Sequence, residues 1–347
     1  MLAALVIGFA AALGRAGLPS PVLFGALLAG LVVALGTPQV PQIPEAAFSG
    51  AQALLGVSIG VLFDLRTLAA LRADWLPVLA VCLATLVASV AAGFVLRLHR
   101  SVSAATGAFA MVAGGASGIV AIARELGADD RVVAVVQYLR VLLIIVGMPL
   151  VARFVFHSAN GSAASTATST ASGADSGAAA GLLVDLLVTG VSVAGGLLLA
   201  RWIDVPAGSL LLPLTVAVLI SLTGVTGTLA VPQALQGVGY ALIGLQVGLR
   251  FTRASLRAVA GLLPLAVGAI LGLIAVSAVL GALLARATGR SALDGYLATT
   301  PGGLYAVLAT AVGSGSDVTF ILTVQLVRLF VMLFSAPLLA RWLRRAG

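Results

Sequence analysis

AGGASG at 113–118 is matched by PGGLY at 301–305, so the chain repeats itself around a Gly-Gly pair. Gly114 and Gly302 are 188 positions apart (302 − 114), and the residues around both pairs keep this offset. A duplicated membrane segment with a backbone break in each copy is typical of transporter cores, where each break faces a central site. The matched pairs are Asp129 with Asp317, Gln137 with Gln325, Arg140 with Arg328, Pro149 with Pro337, Arg153 with Arg341, Gly56 with Gly244, Gly60 with Gly248, Phe63 with Phe251 and Gly107 with Gly295.

The composition predicts an integral membrane protein. The 347 residues are 61% hydrophobic and 9% charged, with a mean hydropathy of +1.18. So few charges cannot cover the surface of a soluble domain of this size. The net charge is +8, and every basic residue that contributes to it is an arginine, because the chain has no lysine. The arginines are spread singly over short loops and form no basic stripe, so we expect no nucleic-acid partner.

Apolar runs bounded by Pro, Gly and Arg predict an all-α fold of two repeats with about five transmembrane helices each. The first repeat is placed at 1–157 and the second at 181–347. Between them, 158–180 contains Ser, Thr, Ala and Gly with almost no large apolar side chain, which predicts a flexible linker. The predicted spans are 1–14, 20–36, 46–63, 75–97, 131–155, 181–202, 208–223, 231–249, 258–286 and 316–343, and the Gly-Gly pairs interrupt two weaker segments, 102–126 and 290–314.

The orientation of the repeats depends on these two interrupted segments. If they cross the membrane, the repeats have six spans each and are parallel. If they are re-entrant, the repeats have five spans each and are inverted. Re-entrant segments place most of the loop arginines on the inside, whereas crossing segments divide them almost evenly. The positive-inside rule therefore favours inverted repeats with both termini in the cytoplasm.

The Gly-Gly tips are the first candidate binding residues. A backbone break within the membrane is tolerated only where it is buried in protein or lines a polar cavity. The arm after each break begins a helix, whose free N–H groups and positive dipole end suit an anion. The alternative is that the glycines only permit tight helix packing. The candidate substrate-binding residues here are Gly114, Gly115, Ser117 and Gly118 in the first tip, and Thr300, Gly302, Gly303 and Tyr305 in the second.

A Gln-x-x-Arg pair in each repeat supplies the remaining candidates. Gln137 and Arg140 share one helix face in the first repeat, as do Gln325 and Arg328 in the second. Each arginine lies within a long apolar run, where a charge is costly and suggests function. One interpretation is that the guanidinium groups hold an anionic substrate. The other is that they cap carbonyl groups at a break, or pair with Glu125 or Asp294.

Other chemistry finds little support in the sequence. Cys82 is the single cysteine, which excludes an internal disulfide. The two histidines, His99 and His157, have no second ligand at metal-binding spacing. No nucleophile–base motif or nucleotide-binding glycine loop is visible. We therefore expect no enzyme activity, no metal and no cofactor.

The duplicated unit resembles a known family. It ends in Gln-x-x-Arg followed by MPLVAR at 148–153 and APLLAR at 336–341, and it resembles the AbrB-type membrane protein family over nearly the whole chain. Another name in use for that family, ammonia monooxygenase, is not supported by these residues. The family is similar, more distantly, to the cation–proton antiporter and anion transporter superfamily. The glutamate–sodium and citrate–sodium symporters also have two inverted halves, with re-entrant loops that carry GGxG, and this chain departs from that pattern at Ser117 and Tyr305.

The resemblance implies a multi-pass protein of the bacterial inner membrane that forms a homodimer, with Na⁺ or H⁺ as candidate coupling ions. The leading hypothesis is a secondary transporter of a small, anionic organic solute that works by elevator-like alternating access. The alternative is a membrane-embedded regulator or sensor of gene expression that binds a ligand or partner without transport. The short loops leave no room for a cytoplasmic signalling domain, which favours the transporter.

Overall fold

The fold is all-helical throughout the part of the chain that the computed structural model describes, which is 2–37, 40–63, 74–100, 102–112, 128–156, 176–203, 205, 207–223, 231–251, 253, 257 and 260–346. This confirms the predicted all-α class. The helices are α1 (Leu2–Arg15), α2 (Pro21–Gly36), α3 (Glu45–Gly60), α4 (Trp75–Val95, extended by a 3₁₀ turn Leu96–Leu98), α5 (Ala104–Met111), α6 (Asp130–Phe154), α7 (Ser176–Leu199), α8 (Gly208–Leu222), α9 (Gln233–Gly248), α10 (Leu263–Thr288), α11 (Ala292–Thr299), α12 (Leu304–Ser314) and α13 (Val318–Ala346).

The sequence duplication recurs in the positions where helices begin. The helices α3, α4, α5 and α6 start 188 residues before α9, α10, α11 and α13 respectively. Local signals repeat as well. The hydroxyl of Ser103 accepts from the N–H of Thr106 at the start of α5, and Ser291 accepts from Asp294 at the start of α11. Serine at this position satisfies a helix N–H that has no partner within the helix. The same short helix is therefore specified twice.

Within the described residues, the helices that are long and apolar enough to cross a membrane are five, namely 75–98, 132–154, 182–199, 263–288 and 318–335. Some of their large apolar side chains are exposed in the chain by itself, with Leu187, Val279 and Phe334 at 66%, 61% and 72%. In water such surfaces would associate, whereas a bilayer covers them without cost. The protein is therefore a membrane protein, as its composition predicts.

Two boundaries differ from the sequence-based expectation. The helix α7 begins at Ser176, within the predicted linker, because the small residues before Gly181 continue the helix. The predicted span at 316–343 continues as α13 to Ala346. Residues 158–175 of the linker lie outside the described part of the chain. The division into two repeats with a linker stays a prediction.

The chain forms two compact units, and each takes helices from both repeats. The first unit comprises 1–64, 149–250 and 308–318, and the second comprises 65–148, 251–307 and 319–347. In the first unit α1 packs on α2, α2 on α9, α3 on α8 and α9, and α7 on α3 and α8. In the second unit α4 packs on α5, α10 and α11, and α10 packs on α11.

Glycines set the helix spacing in the first unit, and they do so reciprocally between the repeats. A Cβ at Gly56 of α3 would lie 2.2 Å from the carbonyl oxygen of Leu210 in α8. The equivalent Gly244 of α9 lies equally close to α2, since a Cβ there would be 2.1 Å from the carbonyl oxygen of Leu23. Only a residue without a side chain allows this approach. Each repeat therefore supplies the surface on which the glycines of the other repeat pack.

The second unit shows the same principle within each repeat. A Cβ at Gly93 of α4 would lie 2.5 Å from the carbonyl oxygen of Gly107 in α5, and one at Gly281 of α10 would lie 2.6 Å from that of Gly295 in α11. These contacts hold each short helix against a long one. The C-terminal end of α4 lies near the start of α10, since His99 Nε2 is 3.5 Å from a Cβ built at Gly261. Inverted copies would give this arrangement, and the inverted relationship of the repeats stays a prediction.

Candidate functional site

The second Gly-Gly segment breaks a helix within the second unit. The helix α11 ends at Thr299, and α12 begins at Leu304. Thr300 has extended backbone (φ −56°, ψ 123°), as expected for a residue that precedes proline. Pro301 cannot donate to the helix, and two glycines follow. The sequence thus ends α11 after eight residues and leaves its last carbonyl groups without partners inside the helix.

The pair Gln325 and Arg328 of α13 holds these carbonyl groups. Arg328 donates from Nη1 to the carbonyl oxygens of Thr300 at 2.6 Å and Thr299 at 3.2 Å. Gln325 donates from Nε2 to those of Leu297 at 2.9 Å and Thr300 at 3.2 Å, and its Oε1 accepts from Nη2 of Arg328. Both side chains are buried. The interpretation in which arginine caps the carbonyls at a break is confirmed at this end.

The equivalent pair makes equivalent bonds in the first repeat. Gln137 Nε2 donates to the carbonyl oxygen of Phe109 at 2.9 Å, and Arg140 Nη1 donates to that of Met111, the last residue of α5. Phe109 and Met111 are each 188 positions before Leu297 and Thr299. Because both copies keep the geometry, the capping is a property of the duplicated unit and does not depend on one local sequence.

The tip of the second break lies against the helix that carries Arg140. A Cβ on Gly302 would lie 2.7 Å from Cγ2 of Ile144, and one on Gly303 would lie 3.8 Å from Cγ1 of Val141. Both contacts are with α6, at residues one and four positions beyond Arg140. Residues of the two repeats are therefore brought together at one place in the second unit.

The first turn of α12 starts at this tip. The carbonyl oxygen of Gly303 accepts from the N–H groups of Ala306 at 3.1 Å and Val307 at 3.2 Å. The helix N-terminus, with its partial positive charge, therefore points back toward the break. The positive end of α12 and the capped negative end of α11 meet across four residues, 300–303.

Positive charge at this site is not neutralised by the described residues. Arg140 and Arg328 are 4% and 5% exposed, and neither forms an ion pair with a carboxylate in the described ranges. The Nε atom of each is buried and has no hydrogen-bond partner there. Two buried cations with unused donors are an environment that favours an anion.

Of the remaining predicted site residues, those of the first tip are not described, whereas Thr300 and Tyr305 lie at the second break. Gly114, Gly115, Ser117 and Gly118 of the first tip lie outside the described residues, as does Glu125. Thr300 is fully buried, and its hydroxyl donates to the carbonyl oxygen of Tyr296 at 2.6 Å, so this hydroxyl serves the helix end. Tyr305 is half-buried in the first turn of α12.

Two residues that contribute to the second break, Thr299 and Cys82, are not among the predicted site residues. The carbonyl oxygen of Thr299 accepts a hydrogen bond from Arg328. The hydroxyl of Thr299 donates to the backbone carbonyl oxygen of Ser277 in α10 at 2.8 Å. The Sγ atom of Cys82 in α4 lies 3.8 Å from the carbonyl oxygen of Val324 in α13, beside the Gln-x-x-Arg face. Thr299 precedes the second tip directly in the sequence, which is the signal for its role. Nothing near Cys82 in the sequence indicates its contact with α13.

Comparison with known proteins places the chain in a family. The family model described as transition state regulatory protein AbrB matches residues 1–73 and 22–344. A relative in Escherichia coli (strain K12), named "Putative regulator AbrB", is 33% identical over 326 residues, covering 94% of this chain and 90% of that protein. The protein YhjN of Bacillus subtilis (strain 168), described as uncharacterized, is 24% identical over 291 residues, covering 82% and 76%. The chain therefore belongs to the AbrB family of membrane proteins, the family that its duplicated sequence resembles.

Proposed function

We propose that this protein is a secondary transporter of a small organic anion, working by elevator-like alternating access in the bacterial inner membrane. The observation that carries the proposal is the pair of buried guanidinium groups, Arg140 and Arg328, which no described carboxylate neutralises and whose Nε atoms lack partners. A buried charge without a counterion is costly, and an arriving anion would remove that cost.

The helix break next to these arginines supports the same proposal. The N-terminus of α12 begins at the Gly302-Gly303 tip, and oriented N–H groups at a helix N-terminus attract anions. A broken helix of one repeat that lies against a helix of the other repeat is typical of the place where transporters bind a solute near the middle of the membrane. The bilayer, the solute and a homodimeric partner are the partners that we propose, and we propose no enzyme activity.

Ligand-induced stabilisation of the purified full-length protein tests the proposal. A panel of mono- and dicarboxylates, sulfonates and phosphate monoesters would be screened by thermal unfolding in detergent. A ligand present at a hundred times its Kd raises the free energy of unfolding by about 2.7 kcal/mol. Arg328→Ala and Arg140→Ala should weaken binding of a hit about tenfold or more, because each removes a charge-assisted donor. The exposed Arg201 supplies the control variant, Arg201→Ala, which should bind normally.

Flux of the same anion in proteoliposomes separates transport from sensing. A transporter carries the labelled anion into vesicles, and the arginine variants lose uptake in parallel with binding. Binding without flux would support the alternative, a membrane regulator that senses the anion, in line with the name of the Escherichia coli relative. If no anion stabilises the folded protein, the proposal is wrong.

A further inference from the structure

Carbonyl groups at the end of a broken helix form a ready cation site. The last four carbonyl oxygens of a helix have no partner within it, and the helix dipole adds partial negative charge there. Carbonyl oxygens are ligands for hard cations, and unwound carbonyls at half-helix ends coordinate the coupling Na⁺ of many carriers. If another group already occupies the carbonyl oxygens at such a break, a coupling cation cannot bind there.

At the second break a protein cation already fills this position. Arg328 Nη1 lies 2.6 Å from the carbonyl oxygen of Thr300 and 3.2 Å from that of Thr299. The amide of Gln325 contacts a third carbonyl oxygen, that of Leu297, at 2.9 Å, and its own Oε1 accepts from the guanidinium. Four oxygen atoms that could have surrounded a metal ion thus face donors of α13.

Two of these bonds recur at the equivalent carbonyl groups of the first repeat. Arg140 Nη1 donates to the carbonyl oxygen of Met111, and Gln137 Nε2 donates to that of Phe109. Arg140 and Arg328 are both buried, and both lack an ion pair among the described residues. An arginine that faces carbonyl oxygens and no carboxylate acts toward the helix end as a permanently bound cation, since guanidinium does not lose its proton in proteins.

We propose that Arg140 and Arg328 are fixed cations that occupy the carbonyl sites at the two helix breaks, so that binding of the anion requires no Na⁺. The consequence for transport rests on the proposed function, whereas the occupancy of the carbonyl sites does not. The Nη atoms of each guanidinium face the end of a short helix, whereas the buried Nε atoms have no hydrogen-bond partner among the described residues. The arginines are then positioning residues for the breaks as well as anion donors.

Replacement of the fixed cation by a dissolved one tests this role without any substrate. The melting temperature of the full-length protein in detergent would be measured in choline, sodium and guanidinium chloride at equal and low, non-denaturing concentration. Wild type should melt at the same temperature in choline and sodium. Arg328→Ala should melt several degrees lower in choline and recover in guanidinium, which can re-enter the carbonyl site. Arg328→Lys, which keeps a charge there, should lose less than the alanine variant.

The exposed Arg201 again gives the control, since Arg201→Ala removes one positive charge elsewhere and should show no recovery in guanidinium. Selective stabilisation of wild type by sodium, with the anion absent or present, would overturn the inference. So would failure of guanidinium to rescue Arg328→Ala together with a lysine variant as unstable as alanine. If the alanine variant does not fold, the melting temperatures of wild type and Arg328→Lys in sodium and in choline still test whether the carbonyl site needs Na⁺.

The outcomes keep the two proposals apart. Sodium-independent melting with guanidinium rescue supports the fixed-cation role even if no anion binds, and the transporter proposal alone then fails. Anion binding that increases with sodium supports a carrier and refutes the fixed cation.

Discussion

Close packing by Gly56 and Gly244 predicts that even one methyl group at either position destabilises the protein. The Cβ of Gly56→Ala would lie 2.2 Å from the carbonyl oxygen of Leu210, and that of Gly244→Ala would lie 2.1 Å from that of Leu23. Ordinary contact begins near 3.4 Å, so the first pair of helices must separate by about 1.2 Å (3.4 − 2.2). Backbone atoms cannot rotate away as a flexible side chain can.

The magnitude follows from two opposing effects. Overpacking of a close-packed contact costs about 1–3 kcal/mol, and alanine in a helix interior is favoured over glycine by about 1 kcal/mol. Because the clash is with backbone, we expect the upper part of the first range and a net loss of about 1–2 kcal/mol for each variant. The two losses should be alike, because the contacts are equivalent in the two repeats.

Thermal unfolding of the purified variants measures this effect, and the same helices supply matched controls. Gly50 of α3 and Gly237 of α9 have nothing within 4 Å of a built Cβ. Gly50→Ala and Gly237→Ala should therefore raise the melting temperature slightly, whereas Gly56→Ala and Gly244→Ala lower it by a few degrees. Equal stability of Gly56→Ala and Gly50→Ala would refute the reasoning from helix contact.

Two further predictions concern the helix breaks. Gly302→Ala should weaken anion-induced stabilisation, because its Cβ would lie 2.7 Å from a methyl group of α6. Gly303→Ala should bind the anion nearly as wild type does, because its Cβ would lie 3.8 Å from the nearest atom of α6. Ligand titrations compare the two variants, and equal effects would contradict the contact argument. Gln325→Leu should lower the free energy of unfolding by about 1–3 kcal/mol, because buried carbonyl oxygens lose their donor. The loss should exceed that of Gln137→Leu, because Gln325 also accepts a hydrogen bond from Arg328. Thermal unfolding measures both variants, and the reverse order would contradict the bonding described.

The sequence predicts the helices well because the two signals that place them, the apolar runs and the Pro, Gly or Arg residues at their ends, are local. The apolar runs end at Pro, Gly and Arg, and the helix at 45–60 and its copy at 233–248 start at matched prolines, Pro44 and Pro232. The break at the second tip is equally local, since Thr300-Pro301-Gly302-Gly303 cannot continue a helix. These features need no knowledge of tertiary contacts.

The partners of the arginines could be predicted only in part. Sequence spacing places Gln325 and Arg328 on one face, but two acceptors were open, carbonyl groups or the carboxylates of Glu125 and Asp294. The choice depends on which elements pack against α13, and this is a tertiary property. The contact of the second tip with Val141 and Ile144 is likewise invisible in the sequence, because it joins segments about 160 residues apart.

The reciprocal glycine contacts also say something about how such a chain is made and how it arose. Neither half can complete the first unit alone, because Gly56 of the first half rests on Leu210 of the second, and Gly244 of the second half rests on Leu23 of the first. During synthesis, α3 must wait in the membrane until α8 has emerged from the ribosome. Before the duplication, a half-length ancestor would have found these surfaces on a second copy of itself. Two separately expressed halves, divided between 158 and 175, should accordingly assemble into one working molecule.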